Sequence, residues 1–281
     1  MKQKKTYLFS LFLLLCFVAG GSAYAQKVVK ILAIGNSFSQ DAVEQNLHEL
    51  AAADGFTTII GNMYIGGCSL ERHVKNVRGN LPAYAYRKIG VDGRLVETPH
   101  ETLEKALADE DWDYVSLQQV SGFSGKFETF RASLPELVAY VKAHLPKHTK
   151  LMLHQTWAYA SNSTHADFPR YHRNQLEMYH AIVDAVKRAA KMEKIKIIIP
   201  SGTAIQNART SSLGDHLNRD GYHLNLGVGR YTAACTWFEK IFKRNVVGNS
   251  YCPANVTPEQ KEIAQRAAHA AVKHPYRITE M

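Results

Sequence analysis

The feature that most constrains the fold is an apolar run, Val28, Val29, Ile31, Leu32 and Ile34, broken only by Lys30 and stopped at Gly35-Asn36-Ser37. A short, continuous, β-branched run of this kind is how a strand buried on both faces reads, and such strands belong to parallel sheets covered by helices. Gly35 permits a sharp turn, and a helical pattern is expected to open near Asp41. Ser37 then lies just beyond the carboxyl end of the strand. In open α/β sheets that is where ligands bind, and helix N–H groups there face any negative charge that develops. Ser37 is therefore a candidate nucleophile. Serine is also a favoured N-cap, so Ser37 or Ser39 capping the next helix is the competing expectation.

The 281 residues, 46% of them hydrophobic, suffice for one α/β domain with additions or for two small domains. Residues 1–25 read separately. Lys2, Lys4 and Lys5 precede the apolar run from Leu11 to Val18, and Ala23-Tyr24-Ala25 has the small-x-small form of a signal-peptidase site. The uninterrupted apolar core is shorter than the roughly 20 residues of a bilayer span. Cys16 as a lipid-anchoring residue fits less well, because Leu15 rather than a small residue precedes it. A periplasmic or secreted protein starting near Gln26 is expected, with residues 26–281 forming one domain.

Removing that leader removes three lysines and no acid, which takes the formal charge from +9 to +6. The excess is spread along the chain, without the Lys/Arg block that tracks a phosphate backbone, so nucleic acid is not an expected partner. An anionic polysaccharide or a membrane surface stays open. Beyond Cys16 there are Cys68, Cys235 and Cys252, an odd number with no Cys-x-x-Cys spacing, which indicates neither a zinc site nor a disulfide framework. A Cys235–Cys252 disulfide is conceivable in an oxidising compartment, and Cys68 reads as a small buried residue.

Along the chain, Val43, Leu47 and Leu50 mark one amphipathic helix over residues 41–54, stopped at Gly55. A second strand, residues 57–64, runs into Gly66-Gly67-Cys68-Ser69. The unobstructed N–H groups of such a turn suit close approach of a ligand, or the glycines serve a tight turn and nothing more. After a helix to Arg78, residues 83–98 alternate about Asp92-Gly93 as a hairpin does, and are expected to lie over the sheet edge. Tyr84 and Tyr86 within it wall a cleft or pack. A third core strand, residues 113–118, ends in Gln118-Gln119, whose amides suit an oxyanion or tie down the loop behind them. The fourth strand exits through His154, Trp157 and Tyr159, aromatics that suit a sugar ring or core packing.

A fifth strand ends before Pro200, and a polar, glycine-containing stretch follows from Gly214 to Asn225, just ahead of the last long helical pattern. Asp220 and His223 are three residues apart, so one tight turn can present both on one side. The carboxylate then accepts Nδ1–H, fixes the tautomer and leaves Nε2 to take a proton from a serine hydroxyl. Asp215 and His216 are local competitors. The tail begins with Thr257-Pro258-Glu259-Gln260, a capping box with proline at the first helical position.

Five parallel strands alternating with helices, a serine after the first and Asp-x-x-His before the last long helix, resemble the SGNH (GDSL-like) hydrolase superfamily. The match spans residues 27–275 and rests on blocks in order: Gly35-Asn36-Ser37-Phe38-Ser39, Gly66-Gly67-Cys68-Ser69 and Asp220-Gly221-Tyr222-His223. The opening Gly-Asn-Ser-Phe-Ser is most similar to an exported, DUF4886-like branch. The resemblance implies a three-layer α/β/α sandwich on a five-stranded parallel, flavodoxin-like sheet, and Ser37, His223 and Asp220 as catalytic residues needing no metal or organic cofactor. It implies an oxyanion hole from the N–H groups of Ser37 and Gly67. The family's Gly-x-Asn-Asp block is absent, and Gln118, with Gln119 as the alternative, stands at the corresponding strand end. The expected activity is hydrolysis of O-acyl, chiefly O-acetyl, esters on a carbohydrate, with Trp157, Tyr159 and Tyr222 at the rim. A lipid-directed esterase or lysophospholipase and a catalytically decayed glycan-binding protein are the other readings.

Overall fold

The computed structural model describes residues 28–281; the expected leader lies outside them. Five strands, β1 (Val29–Gly35), β2 (Thr58–Tyr64), β5 (Tyr114–Leu117), β6 (Lys150–His154) and β7 (Ile197–Ile199), run parallel in the order β2-β1-β5-β6-β7. Ile31 to Ile34 of β1 are at most 1% exposed, as a strand covered on both faces must be. The hairpin strands β3 (Tyr84–Ile89) and β4 (Leu95–Glu101) do not lie over the sheet. They extend it, β3 pairing antiparallel with β2, because the free edge of β2 offers unpaired backbone groups that a hairpin satisfies.

Helices α3 (Leu70–Arg78), α5 (Phe127–Ala143) and α6 (Gln175–Glu193) pack together in one layer; α4 (Leu103–Asp109) contacts α3. The other layer holds α1 (Ser37–Val43), α2 (Leu47–Ala53), α7 (Ser201–Arg209), α8 (Val228–Phe242) and α9 (Pro258–Lys273). The α9 capping box is formed, with Thr257 and Gln260 reciprocally bonded. The single helix expected over residues 41–54 is instead two, opening at Ser37. Asn46 breaks it with φ of 70°, a left-handed conformation that asparagine tolerates, and its side chain accepts the Tyr251 hydroxyl at 3.0 Å.

Strand register sets up the site. Gly35 pairs with Tyr64, Ile34 with Leu117, Leu117 with Leu153 and His154 with Ile199. The residues that follow these strand ends, including Ser37, Gly66 and Gln118, therefore emerge at one edge. Gly35 is required there, since a Cβ on it would lie 2.7 Å from Ser39 Oγ and 2.8 Å from Gln118 Cδ.

Two buried imidazoles give the fold a pH dependence. His73 meets the Tyr84 hydroxyl at 2.9 Å and His154 bridges Gln118 and Ser201. Burial lowers each pKa from 6.5 to about 3, with the Arg72 charge adding to the effect at His73. The unfolded chain binds the extra protons between those values, so stability is complete above pH 6.5 and is lost as pH falls toward 3. Denaturant unfolding should lose up to about 1.4 kcal/mol per pH unit for each histidine over that window. A flat profile from neutral pH to pH 4.5 would contradict this assignment.

Candidate active site

Ser37 is the first residue of α1, and Asn36 rather than a serine is its N-cap, accepting Phe38 N–H at 3.0 Å. The Ser37 side chain is thereby left for other work. Its Oγ lies 2.8 Å from His223 Nε2, and His223 Nδ1 lies 2.6 Å from Asp220 Oδ2. Asp220 Oδ1 accepts the backbone N–H groups of His223 at 2.7 Å and Tyr222 at 3.1 Å, which makes the tight turn that presents both residues on one side. Partial burial works to raise the Asp220 carboxyl. The bonds from the His223 ring and from these two N–H groups outweigh it, and its pKa falls below the ordinary carboxylate value. A carboxylate held ionised against Nδ1–H leaves Nε2 as the acceptor of the Ser37 proton.

The competitors are engaged elsewhere. Asp215 pairs with the buried Arg209 at 2.9 Å and accepts Ser161 N–H and O–H, each at 2.7 Å. His216 lines a small pocket beside Asp220 and takes no part in the line from Ser37.

Asn36 organises the strand-end side. Its Nδ2 donates to Cys68 O at 3.0 Å, tying the serine turn to the glycine turn, and its Oδ1 also accepts Gln118 Nε2 at 2.7 Å. Gln118 Oε1 in turn accepts His154 Nδ1–H at 2.8 Å, and His154 Nε2 accepts the Ser201 hydroxyl at 3.0 Å. One Nε2–H of Gln118 is thus committed to holding Asn36, and the side chain is buried. Gln119 is committed too, its oxygen to the N–H groups of Leu70 and Val120 and its nitrogen to Thr129. A strand-end carboxamide was legible in the sequence, but its partners were not. Gly67 is exposed with φ of +61°, and nothing lies within 4 Å of where a Cβ would sit. Among the described residues neither the Ser37 nor the Gly67 N–H bonds a backbone acceptor, so both are free to donate to a ligand.

The expected aromatic rim is largely interior. Trp157 and Tyr159 are 0% exposed, so neither offers a face to a ligand. Trp157 stacks on Phe38 at 4.3 Å and donates to Tyr222 O at 2.8 Å, bracing the neighbours of both Ser37 and His223. Tyr159 bonds Ser121 at 2.8 Å. Tyr222 alone is half-buried, its ring 4.1 Å from that of His223 and 4.6 Å from that of His165. Among the described residues Cys68, Cys235 and Cys252 are free thiols: Cys235 and Cys252 are not joined, and burial pushes the Cys68 thiol up to about 12, against a smaller opposing effect of Arg72.

Sequence reasoning missed Asp41. On α1, 0% exposed, it accepts Leu224 N–H at 2.8 Å, Arg219 Nη1 at 3.2 Å and Arg230 Nη2 at 2.6 Å. Arg219 also donates to Leu224 O. One carboxylate therefore fastens the helix carrying Ser37 to the turn carrying Asp220 and His223, and to α8. The available signal was an acid in a segment of otherwise buried residues, with two arginines flanking the Asp-x-x-His stretch. Asp41→Asn leaves two guanidinium groups without their anion, and should cost about 3–5 kcal/mol of stability. Denaturant midpoints measure this; an unchanged midpoint would show that the tie carries no energy.

The described residues hold no group of three or more potential metal-ligating His, Cys, Asp or Glu side chains, and none of their helices is long and apolar enough to cross a membrane. No curated protein matches the sequence significantly. Solved structures do. A DUF4886 family protein from Bacteroides uniformis is 62% identical, with 91% of this chain and 98% of that one covered and a TM-score of 0.90. A protein assigned as an SGNH hydrolase, from Slackia heliotrinireducens, is 21% identical over 76% of this chain and 100% of its own, at a TM-score of 0.53. A protein assigned as a GDSL-like lipase, from Parabacteroides merdae, is 16% identical over 78% and 98%, also at 0.53. The last two are likenesses of fold, and the architecture is that of SGNH/GDSL-like hydrolases. The model of a domain of unknown function, DUF4886, matches residues 30–271, and the chain belongs to that family.

Proposed function

We propose that this protein is an exported serine esterase that removes O-acyl groups, chiefly O-acetyl, from a carbohydrate. The observation that carries the reading is the unbroken line from Ser37 Oγ to His223 Nε2 and from His223 Nδ1 to Asp220. A serine hydroxyl is a poor nucleophile until a positioned base takes its proton, and this arrangement supplies the base and fixes its tautomer. Ser37 Oγ attacks the ester carbonyl carbon as its proton passes to His223. The N–H groups of Ser37 and Gly67 receive the oxyanion. Collapse breaks the bond to the sugar oxygen, which leaves with the proton from His223. Water, deprotonated by the same imidazole, then frees the carboxylic acid and restores Ser37. Asp220 holds the imidazolium in each half-reaction.

The carbohydrate half of the reading is supported by the surface beside the triad. A pocket of about 300 Å³ adjoins Asp220 and Gly221 and is lined by Asn162, Thr164, Asp215, His216, Asn218 and Arg219. Sugar hydroxyl groups can bond Asn162, Thr164 and His216, whereas an alkyl tail would desolvate them without compensation, at about 1–3 kcal/mol per stranded group. Export is inferred from the leader-like residues 1–25. The decayed, glycan-binding alternative draws on one observation, the engagement of the Gln118 amide with Asn36.

Acetylated plant and host glycans incubated with residues 26–281 should release acetate, and Ser37→Ala should slow release at least about 10⁴-fold. Equal release by both proteins would remove Ser37 from the mechanism. Glycan binding by both with release by neither would favour the decayed reading.

A further inference from the structure

A cavity of about 970 Å³ lies away from Ser37, at the opposite end of the sheet. It is lined by the first residues of three strands, Tyr114, Lys150 and Ile197, and by the carboxyl ends of α5, α6, α8 and α9. Strands β5 and β6 are four and five residues long, which at about 3.3 Å per residue separates the two ends by roughly 13 Å or more. The cavity therefore does not serve the triad as an acyl pocket.

Its chemistry is two-sided. Leu145, Pro146, Leu151, Ile195, Ile197 and Val272 give it apolar walls, while eight of its lining residues are lysine or arginine and two are glutamate. The Glu239 carboxylate is already taken, by His269 Nδ1 at 2.8 Å and Val246 N–H at 3.0 Å. Among the described residues Lys142, Lys147, Lys194, Lys196 and Lys243 form no ion pair, and Lys150 lies over the Tyr114 ring at 5.4 Å. Cations are favoured at helix carboxyl ends, which accounts for part of this excess but not for Lys150 and Lys196 at strand starts. The four helix ends contribute about −0.5 charge each, well short of the formal +6 of the lining residues. Burial also lowers the pKa of Lys240, in keeping with a partly desolvated wall.

We infer that this cavity binds a single-chain amphipathic anion, an alkyl tail with a carboxylate, sulfate or phosphate head, the tail on the apolar walls and the head among the strand-start lysines. An anionic polysaccharide would leave those walls without a partner. A neutral alkyl compound would leave the cations without one. The size is at the upper end of small-molecule sites, about 300–1,000 Å³, and matches one chain better than two.

Titration calorimetry of residues 26–281 with dodecanoate below its micellar concentration tests this, against dodecyl maltoside, acetate and phosphatidylglycerol vesicles. Dodecanoate should bind at least about tenfold more tightly than the neutral amphiphile or acetate, and Lys150→Glu/Lys196→Glu should reduce its affinity by about the same factor. Ester hydrolysis should be unchanged in that variant, which also reports that it folds. Equal binding of the neutral amphiphile, insensitivity to the charge reversals, no binding of dodecanoate, or binding to vesicles alone would each overturn the proposal. Dodecyl sulfate and dodecyl phosphate in parallel titrations distinguish the head groups.

Discussion

The site depends on a single buried carboxylate. Ser37 and His223 are separated by 186 residues, and no local preference of the chain brings them to 2.8 Å. The bond from Asp41 to the N–H of Leu224, the residue after His223, fixes the backbone of one partner to the helix of the other. Arg219 and Arg230 neutralise the charge that makes this bond strong. Burying an anion is costly unless it is paired and hydrogen-bonded, and Asp41 meets both conditions. Specific geometry results, because the arginines come from the turn carrying Asp220 and His223 and from α8, so neither element can shift without stranding a charge.

A second polar chain does the same on the strand side. Ser201, His154, Gln118 and Asn36 form an interior run that ends on Cys68 O and Phe38 N. Its members come from the ends of β5, β6 and β7, and it closes on the two turns flanking the Ser37 hydroxyl. Trp157 adds a rigid apolar brace between Phe38 and Tyr222. The positions of Ser37 and His223 are thus held by interior groups, and of the alternatives the sequence left open for Gln118, Trp157 and Tyr159 the structure shows the buried one.

The five-strand parallel core, the position of Ser37 and the Asp220–His223 turn were legible in the sequence because each is local. Unbroken β-branched runs report burial on both faces, Gly35 reports a turn, and a spacing of three reports a single bend. The partner of a polar side chain is not local. Nothing near Gln118 says that its nitrogen meets Asn36, and an aromatic in a polar loop looks the same whether it is partly exposed, as Tyr222 is, or lies within the protein, as Tyr159 does. The hairpin was read correctly as a hairpin at the sheet edge and outside the parallel set, but its pairing with β2 was not legible, since that is decided by the free backbone groups of β2. Asn46 split a helix that the apolar spacing alone made continuous.

The most direct test of the central claim is covalent labelling with a fluorophosphonate, which reacts with serine only where a base has activated the hydroxyl. Mass spectrometry of the labelled, digested protein should find one adduct, on the peptide containing Ser37, and none in His223→Ala. An unlabelled protein, an adduct on another serine, or undiminished labelling in His223→Ala would contradict the account.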